Sequence, residues 1–318
     1  MRRGLAAADG VGLLAGALLD AAFGDPRRWH PVAGFGQAAA ALERRSYAPS
    51  RAAGARFAGV AVTVPAMAGV LAALVTRHRP AARVAVTAAT TWAVLGGTSL
   101  RREASALADA LDRGDLATAR ARLPHLCGRD PSTLDGPELA RATVESVAEN
   151  TSDAVVGPLF WGAVAGLPGL LAYRAVNTLD AMVGHRSPRY ARFGTAVARL
   201  DDLANLVPAR LTAALTVAAA PLVDRRPGRA LRTWWRDGHR HPSPNAGQCE
   251  AAMAGALGVR LGGRNVYGGR LEERPVLGAR GRVPDGGDVR RATRLSAVVG
   301  AGTVALAMAY TAYRRIGR

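Results

Sequence analysis

Six apolar runs punctuate the chain. Three carry almost no charge: Gly54 to Thr76, broken only by Arg56, then Ala154 to Tyr173, then Leu295 to Ala312, which stops just before Arg314 and Arg315. Three weaker runs cover 5–23, holding Asp9 and Asp20, 83–100, and 203–223, holding Arg210. About 20 mostly apolar residues suffice to cross a bilayer as a helix. A soluble helix would show a polar stripe on every turn. Here small apolar residues occupy nearly every face, and the abundance of Ala and Gly suits close helix packing in lipid. The pattern predicts an all-α, polytopic membrane bundle: a single integral membrane domain over 1–318 with apolar segments at about 5–23, 54–76, 83–100, 154–173, 203–223 and 295–312.

Met1-Arg2-Arg3 before an apolar stretch is reminiscent of a secretory leader, yet Asp9 interrupts the stretch and no small-residue cleavage site follows. A retained first membrane helix is expected.

Between the runs lie polar segments at 24–53, 101–153, 174–202 and 224–294. A helix is expected over 101–123, divided by a turn at Gly114-Asp115, and another from about Pro137 to Asn150 with Pro at an early position. Counting every run as one crossing puts 174–202 on the face opposite to 101–153 and 224–294. The polar clusters of these segments look as if they belong together, so the run at 154–173, with Pro158 and Gly166-Leu167-Pro168-Gly169, is expected to enter and leave by one side, shielded by protein. The run at 203–223, with Pro208, Arg210 and Pro221, is a second candidate for such a re-entrant hairpin.

The formal charge is +18, and all 42 basic residues are Arg. The absence of Lys excludes a P-loop of the G-x-x-x-x-G-K-[ST] kind, a pyridoxal Schiff base and a lysyl-AMP ligase. Phosphate must be handled by Arg, backbone N–H groups and metal ions. Much of the positive charge fits helix flanks and anionic lipid. Nucleic acid is not expected as a partner, because aromatic residues make up 5% of the chain and offer no stacking platform. Cys127 and Cys249 form neither a disulfide framework nor a zinc site.

Four clusters carry candidate chemistry. Arg141, Glu145 and Glu149 fall at i, i+4 and i+8, so they share a helix face that is either a solvated row of pairs or a carboxylate row able to hold Mg²⁺ with Asn150 or Asp153. Arg174, Asn177, Asp180, His185 and Arg186 follow the central apolar run. Asp201-Asp202 with Asn205, flanked by Arg199 and Arg210, make a compact oxygen-rich element suited to a phosphate-bound Mg²⁺. His239, His241, Ser243, Asn245, Gln248 and Glu250 open a helix, with Asn245 and Gln248 spaced as a capping box. A helix start also favours anions. Gly262-Gly263-Arg264 and Gly268-Gly269-Arg270 read as turns, or as nests of N–H groups for phosphate.

Taken together these stretches resemble the adenosylcobinamide-phosphate synthase family of cobalamin biosynthesis, the integral membrane proteins called CbiB or, in some organisms, CobD. The resemblance rests on GDPRRWHPV at 24–32, ARATVESVAENTSDAVVGPLF at 140–160, YRAVNTLDAMVGHRSPRYARFG at 173–194, ARLDDLANLVPARL at 198–211 and HPSPNAGQCEAAMAGALGVRLGG at 241–263. It spans nearly the whole chain in order, and departs at Gln248-Cys249, where the family more often has Trp-Pro.

The resemblance implies a multi-pass protein of the cell membrane, with its active site on the cytoplasmic side. The reaction implied joins (R)-1-aminopropan-2-yl phosphate, or aminopropanol, to a carboxylate of adenosylcobyric acid, with ATP and Mg²⁺. ATP would convert the carboxylate to an acyl phosphate, mainly by positioning and charge neutralisation. On this reading Asp201, Asp202 and Glu145 are expected to hold metal, and Glu145, Glu149, His241 and Glu250 to be catalytic, with His241 or Glu250 taking the amine proton. Asn150, Asn177, Arg186, Arg210, Ser243, Asn245, Gly262, Gly263 and Arg264 are expected to bind ATP. Substrates, membrane lipid and other membrane enzymes of cobalamin assembly are the partners such a placement suggests. Two rival readings are a membrane phosphoryl- or prenyl-transferase built on Asp201-Asp202-x-x-Asn205, and a corrinoid transporter with polar residues in broken helices.

Overall fold

The computed structural model describes residues 2–26, 30–185, 187–224, 227–267 and 270–316. Its helices, in order, begin with α1 (Arg2–Phe23), α2 (Pro31–Ser46), α3 (Arg51–Val75), α4 (Pro80–Val94), α5 (Gly97–Asp112), α6 (Leu116–Arg122) and α7 (Gly136–Thr151). There follow α8 (Gly157–Leu179), α9 (Tyr190–Phe193), α10 (Thr195–Ala204), α11 (Leu206–Ala219), α12 (Pro227–Asp237), α13 (Ala246–Leu257) and α14 (Gly286–Ile316). Two strands, β1 (Leu261–Tyr267) and β2 (Arg270–Leu277), lie between α13 and α14. Among the described residues four helical stretches are long and apolar enough to cross a membrane: Ala6–Phe23, Arg51–Val75, Gly136–Gly184 and Gly286–Arg314; a fifth is added if Thr195–Ala204 and Leu206–Leu222 count as one broken span. The protein is therefore an essentially all-α membrane protein. The run at 83–100 is not among these stretches. It yields α4, 15 residues long, and then breaks at Leu95-Gly96 before α5.

The chain forms two compact units. The first comprises Met1–Gly96, Gly157–Asn205 and Thr303–Arg318; the second comprises Gly97–Val156 and Leu206–Gly302.

In the first unit, α1 packs along α4 through glycine. A Cβ at Gly16 would stand 2.6 Å from the carbonyl oxygen of Ala88, and one at Gly12 would meet Thr87, so the small residues set the backbone approach that lipid-embedded helices use. Asp9 on α1 and Arg83 on α4 form a two-pronged ion pair, Nε to Oδ1 at 2.5 Å and Nη2 to Oδ2 at 3.0 Å. Charges within apolar helices are costly unless paired, and each supplies the other's partner.

The central apolar run doubles back. Gly136–Gly184 covers 49 residues, which as a straight helix would reach ~74 Å, far beyond a hydrocarbon core of ~30 Å. Gly166 instead adopts φ 67°, ψ −153°. A Cβ at Gly157 would collide with the Tyr173 ring, and one at Gly169 would stand 2.6 Å from the Trp161 carbonyl oxygen. Such neighbours are possible only if the chain reverses at Gly166, so α8 is a helical hairpin whose two ends emerge together. The reversal exposes carbonyls at the end of the first arm, and Arg314 Nη1 donates to those of Ala163 and Val164 at 3.3 and 3.0 Å. A cation at a helix C-terminus also complements the helix dipole. Leu206–Ala219 shows no comparable reversal within itself.

The second unit is a helical layer around α13, every residue of which is buried or nearly so. The expected turn at Gly114-Asp115 separates α5 from α6, where Asp115 Oδ1 accepts from the Thr118 N–H. Helix α7 starts with a reciprocal cap: Asp135 Oδ1 accepts from the Glu138 N–H and Glu138 Oε2 from the Asp135 N–H. Gly262-Gly263 form neither a turn nor a nest: they lie in strand β1, antiparallel to β2, with a bulge between Leu261 and Gly263. Gly268-Gly269 lies outside the described residues.

Candidate functional site

The sequence candidates gather in two groups, one in each unit. In the second unit the centre is Glu145 on α7. Its buried carboxylate receives Arg129 Nη2 at 2.5 Å, Arg141 Nη1 at 3.4 Å and the backbone N–H of Gly262 at 2.7 Å. Arg141 also donates to the carbonyls of Gly262 and Arg264 and, at 2.9 Å, to Asn265 Oδ1. One arginine and one glutamate on adjacent turns thus clamp the strand pair to α7. The bulge is what makes this possible: Gly262 and Gly263 have φ of 84° and 86°, a region glycine enters without steric cost.

These contacts change the roles expected for three residues. Glu145 is held by two guanidinium groups and an amide, so the structure presents it as an anchor for arginines and strand rather than as an open metal ligand. The Gly262 N–H is already used by Glu145 and is not available for phosphate. Asn150, expected to bind ATP, turns back on its own helix, donating to Ser146 O and Oγ at 3.0 and 3.1 Å.

Beside this anchor, α13 places Glu250 in the interior, 3.9 Å from His241 Nε2. Arg274 of β2 brings Nη1 within 3.4 Å of the same nitrogen. His241 Nδ1 accepts the Ser243 N–H at 3.0 Å. Burial, with the Arg274 charge adding to it, holds the His241 pKa below its ordinary value. Burial, reinforced by Glu145 and Glu149, pushes Glu250 well above the usual carboxylate range. The interior therefore favours the uncharged form of both the acid and the imidazole. Glu149 lies exposed one turn beyond Glu145.

The expected capping box at Asn245 is not formed. Asn245 makes no side-chain cap to α13; Ser243 Oγ accepts from the Asn245 and Ala246 N–H groups instead. Gln248, relieved of that duty, takes the Trp234 indole N–H at 2.8 Å and donates to Gly238 O at 3.0 Å. The Cys249 thiol is buried against Ala209, and burial raises its pKa well above the ordinary thiol value, as befits a packing residue. Arg264 is exposed on β1, and Arg210 is exposed on α11 with Nη1 on its own Leu206 carbonyl. A separate cavity of about 670 Å³ is lined by Asp224, Arg229, Leu257, Gly258, Arg282 and Arg291 among others. None of the sequence candidates lines it, and its arginines are paired with Asp224, Asp285 and Asp288.

In the first unit, Asp180, Asp201 and Asp202 lie within electrostatic reach of one another. Asp180 opens the π-helical turn Asp180–Gly184 that follows α8; the other two are on α10. Asn205 Nδ2 donates to Asp201 Oδ2 at 3.0 Å, and Asn177 is a second amide partner of Asp201. Tyr173 in turn donates to Asn205 Oδ1 at 2.8 Å. The hairpin therefore sets the first carboxylate beside the pair on α10, with amides between them. Arg199 acts on Asp202 and His185 on Asp180. Arg186 lies outside the described residues. Among the described residues no three His, Cys, Asp or Glu side chains converge closely enough to enclose a metal ion. One or two carboxylates together with nucleotide phosphates are the usual protein share of a Mg²⁺ site, and this group offers that.

Two residues of these groups have no signal in the sequence. Arg129 sits in a loop and Arg274 on a strand, and neither carries a pattern that points to its partner. Asp180 is legible, one turn after Asn177, but nothing in one dimension ties it to 201–202.

The CobD/Cbib protein family model matches residues 13–296. The cobalamin biosynthesis protein CobD of Mycobacterium tuberculosis (strain ATCC 25618 / H37Rv) is 56% identical over 306 residues, 96% of either chain. Those of Geobacter metallireducens and Rhodobacter capsulatus are 48% and 43% identical, covering 85% and 87% of this chain and 86% and 89% of theirs. No solved structure matches. With a family match across most of its length and relatives aligned nearly end to end, this chain belongs to the CobD/CbiB family of cobalamin biosynthesis.

Proposed function

We propose that the protein forms an amide bond at the expense of ATP, joining (R)-1-aminopropan-2-yl phosphate to the free carboxylate of adenosylcobyric acid to give adenosylcobinamide phosphate, or aminopropanol to give adenosylcobinamide. The observation that carries this reading is the buried His241–Glu250 pair beside Arg274. A carboxylate resists an amine until it is activated, and an amine attacks only as the neutral base. Burial in this interior disfavours positive charge and so favours the neutral amine over the ammonium ion. The proton released on attack then needs an acceptor. Glu250 is the acceptor in this reading, and His241 its polar neighbour. Because burial raises the Glu250 pKa, its base form strengthens as well as becoming scarcer.

Asp180, Asp201 and Asp202 fit a Mg²⁺-nucleotide, with Asn177 and Asn205 fixing Asp201. The metal would neutralise phosphate charge during phosphoryl transfer to the carboxylate. Supply of ATP places this chemistry on the cytoplasmic face of the cell membrane.

The test is detergent-purified protein incubated with adenosylcobyric acid, aminopropanol phosphate and Mg-ATP, followed by mass analysis of the corrinoid. An ATP-dependent gain of the amide-linked product is expected; its absence with a folded protein sinks the reading. Asp202→Asn retaining full rate at low Mg²⁺ would remove the metal assignment while leaving the reaction intact.

A further inference from the structure

We infer that α12 is an interfacial anchor, with Leu222, Leu231 and Trp235 seated in the headgroup layer of an anionic membrane and Arg232 on lipid phosphate. The inner face of α12 is fixed by packing: Ala230 and Thr233 stand so close to α13 that a Cβ at Gly255 would lie 2.7 Å from Ala230 Cα and 2.8 Å from Thr233 Cβ. Asp237, fully buried, accepts the Gly278 N–H at 2.8 Å and holds the last turn inward. The outer face is then obliged to point away, and it sets large apolar side chains beside Arg232 and Arg236. Leu231 is 43% exposed and Trp235, one turn on, 76%. Leu222, at the end of the preceding apolar helix, is 69% exposed.

Three observations select lipid as the occupant. Chain continuity comes first: Val207, Ala214 and Ala218 are exposed along α11, an apolar segment counted within a broken span, and five residues after Leu222 reach no farther than ~18 Å. Helix α12 therefore begins within headgroup range of that span. Composition comes second: residues 224–240 hold six arginines against two aspartates, and with Arg229 paired to Asp224 and Arg236 and Arg240 to Asp237, exposed Arg232 is left on the outer face. Arginines around a Trp and Leu face are the signature of a helix lying in the plane of an anionic interface, where Trp is favoured. Third, a second copy of this chain is disfavoured, because a two-fold contact through this face would set Arg232 and Arg236 against their own copies.

The full chain in lipid nanodiscs tests this. Trp235→Cys is labelled with a nitroxide, with the unsubstituted chain correcting for Cys127 and Cys249. Collision with oxygen is compared with collision with a water-soluble nickel chelate, in phosphatidylglycerol and in phosphatidylcholine discs. Expected is a label several-fold more open to oxygen than to nickel in the anionic discs, shifting toward nickel when Arg232→Glu is added. Equal nickel access in both lipids overturns the inference, as does spin–spin broadening between copies. Should Trp235→Cys fail to fold, Trp235→Phe probes the same contact: a loss of brominated-lipid quenching relative to the unsubstituted chain is expected, and unchanged quenching overturns the inference.

Discussion

Glu145 accepts the backbone N–H of Gly262 at 2.7 Å across a sequence separation of 117 residues. This bond, with Arg141 gripping the same strand through the Gly262 and Arg264 carbonyls, ties the strand pair to α7 and carries Arg274 to His241. The order of the buried acid–base pair thus depends on a glycine bulge.

Gly262→Ala should therefore destabilise the protein more than Gly263→Ala. Both positions have positive φ, which costs a residue with a Cβ about 1–2 kcal/mol. Only at Gly262 would that Cβ also strike the Pro275 carbonyl oxygen, at 2.2 Å, whereas Gly263 faces open space. Thermal unfolding of the two variants in detergent checks the order.

Glu145→Gln keeps an acceptor for the Gly262 N–H but removes the charge that Arg129 and Arg141 share. Removing one partner of a buried ion pair typically costs about 3–5 kcal/mol. Arg129 and Glu145 are both buried, their side chains 3% and 7% exposed, so a loss toward that range is expected in denaturant titration, together with loss of synthase rate.

The pH dependence follows from the sign of the Glu250 shift. Its pKa in the folded protein lies well above the ordinary carboxylate value. The contribution to stability is therefore complete below the unfolded-state pKa, and is lost as pH rises through the raised folded one. Thermal stability should fall on the alkaline side in the parent chain and stay flatter in Glu250→Gln. The rate should run the other way: the ionised base grows with pH, so synthase activity climbs above neutrality, and Glu250→Gln should lose that limb. A rate profile unchanged by the substitution would refute the role of Glu250 as proton acceptor.

Arg314 closes the reversal of α8 by donating to the Ala163 and Val164 carbonyls. Hydrogen bonds to a charged group are worth about 1.5–3 kcal/mol. Arg314→Ala should lower the unfolding temperature of the purified protein, and Arg314→Lys, which retains a cation and donors, should recover part of it.

The residue pattern alone determined the membrane class, the helical composition and the family, because burial in lipid demands long apolar helices and leaves runs such as 54–76 and 295–312 visible in one dimension. It also carried the suspicion that 154–173 turns back, through Gly166 and Pro168. Local spacing placed Arg141 and Glu145 on one face, as the structure has them, since a helical period is a property of neighbours. Spacing could not say that Glu145 would be spent on Gly262 and Arg129, nor that Ser243 rather than Asn245 would meet the start of α13. It could not see that the glycines at 262–263 enter a strand. Each of those outcomes was decided by tertiary structure, through a contact between segments far apart in the chain or a fold that reassigns a local partner. Which of several polar partners a buried group takes depends on what the fold brings within about 3 Å and shuts away from water.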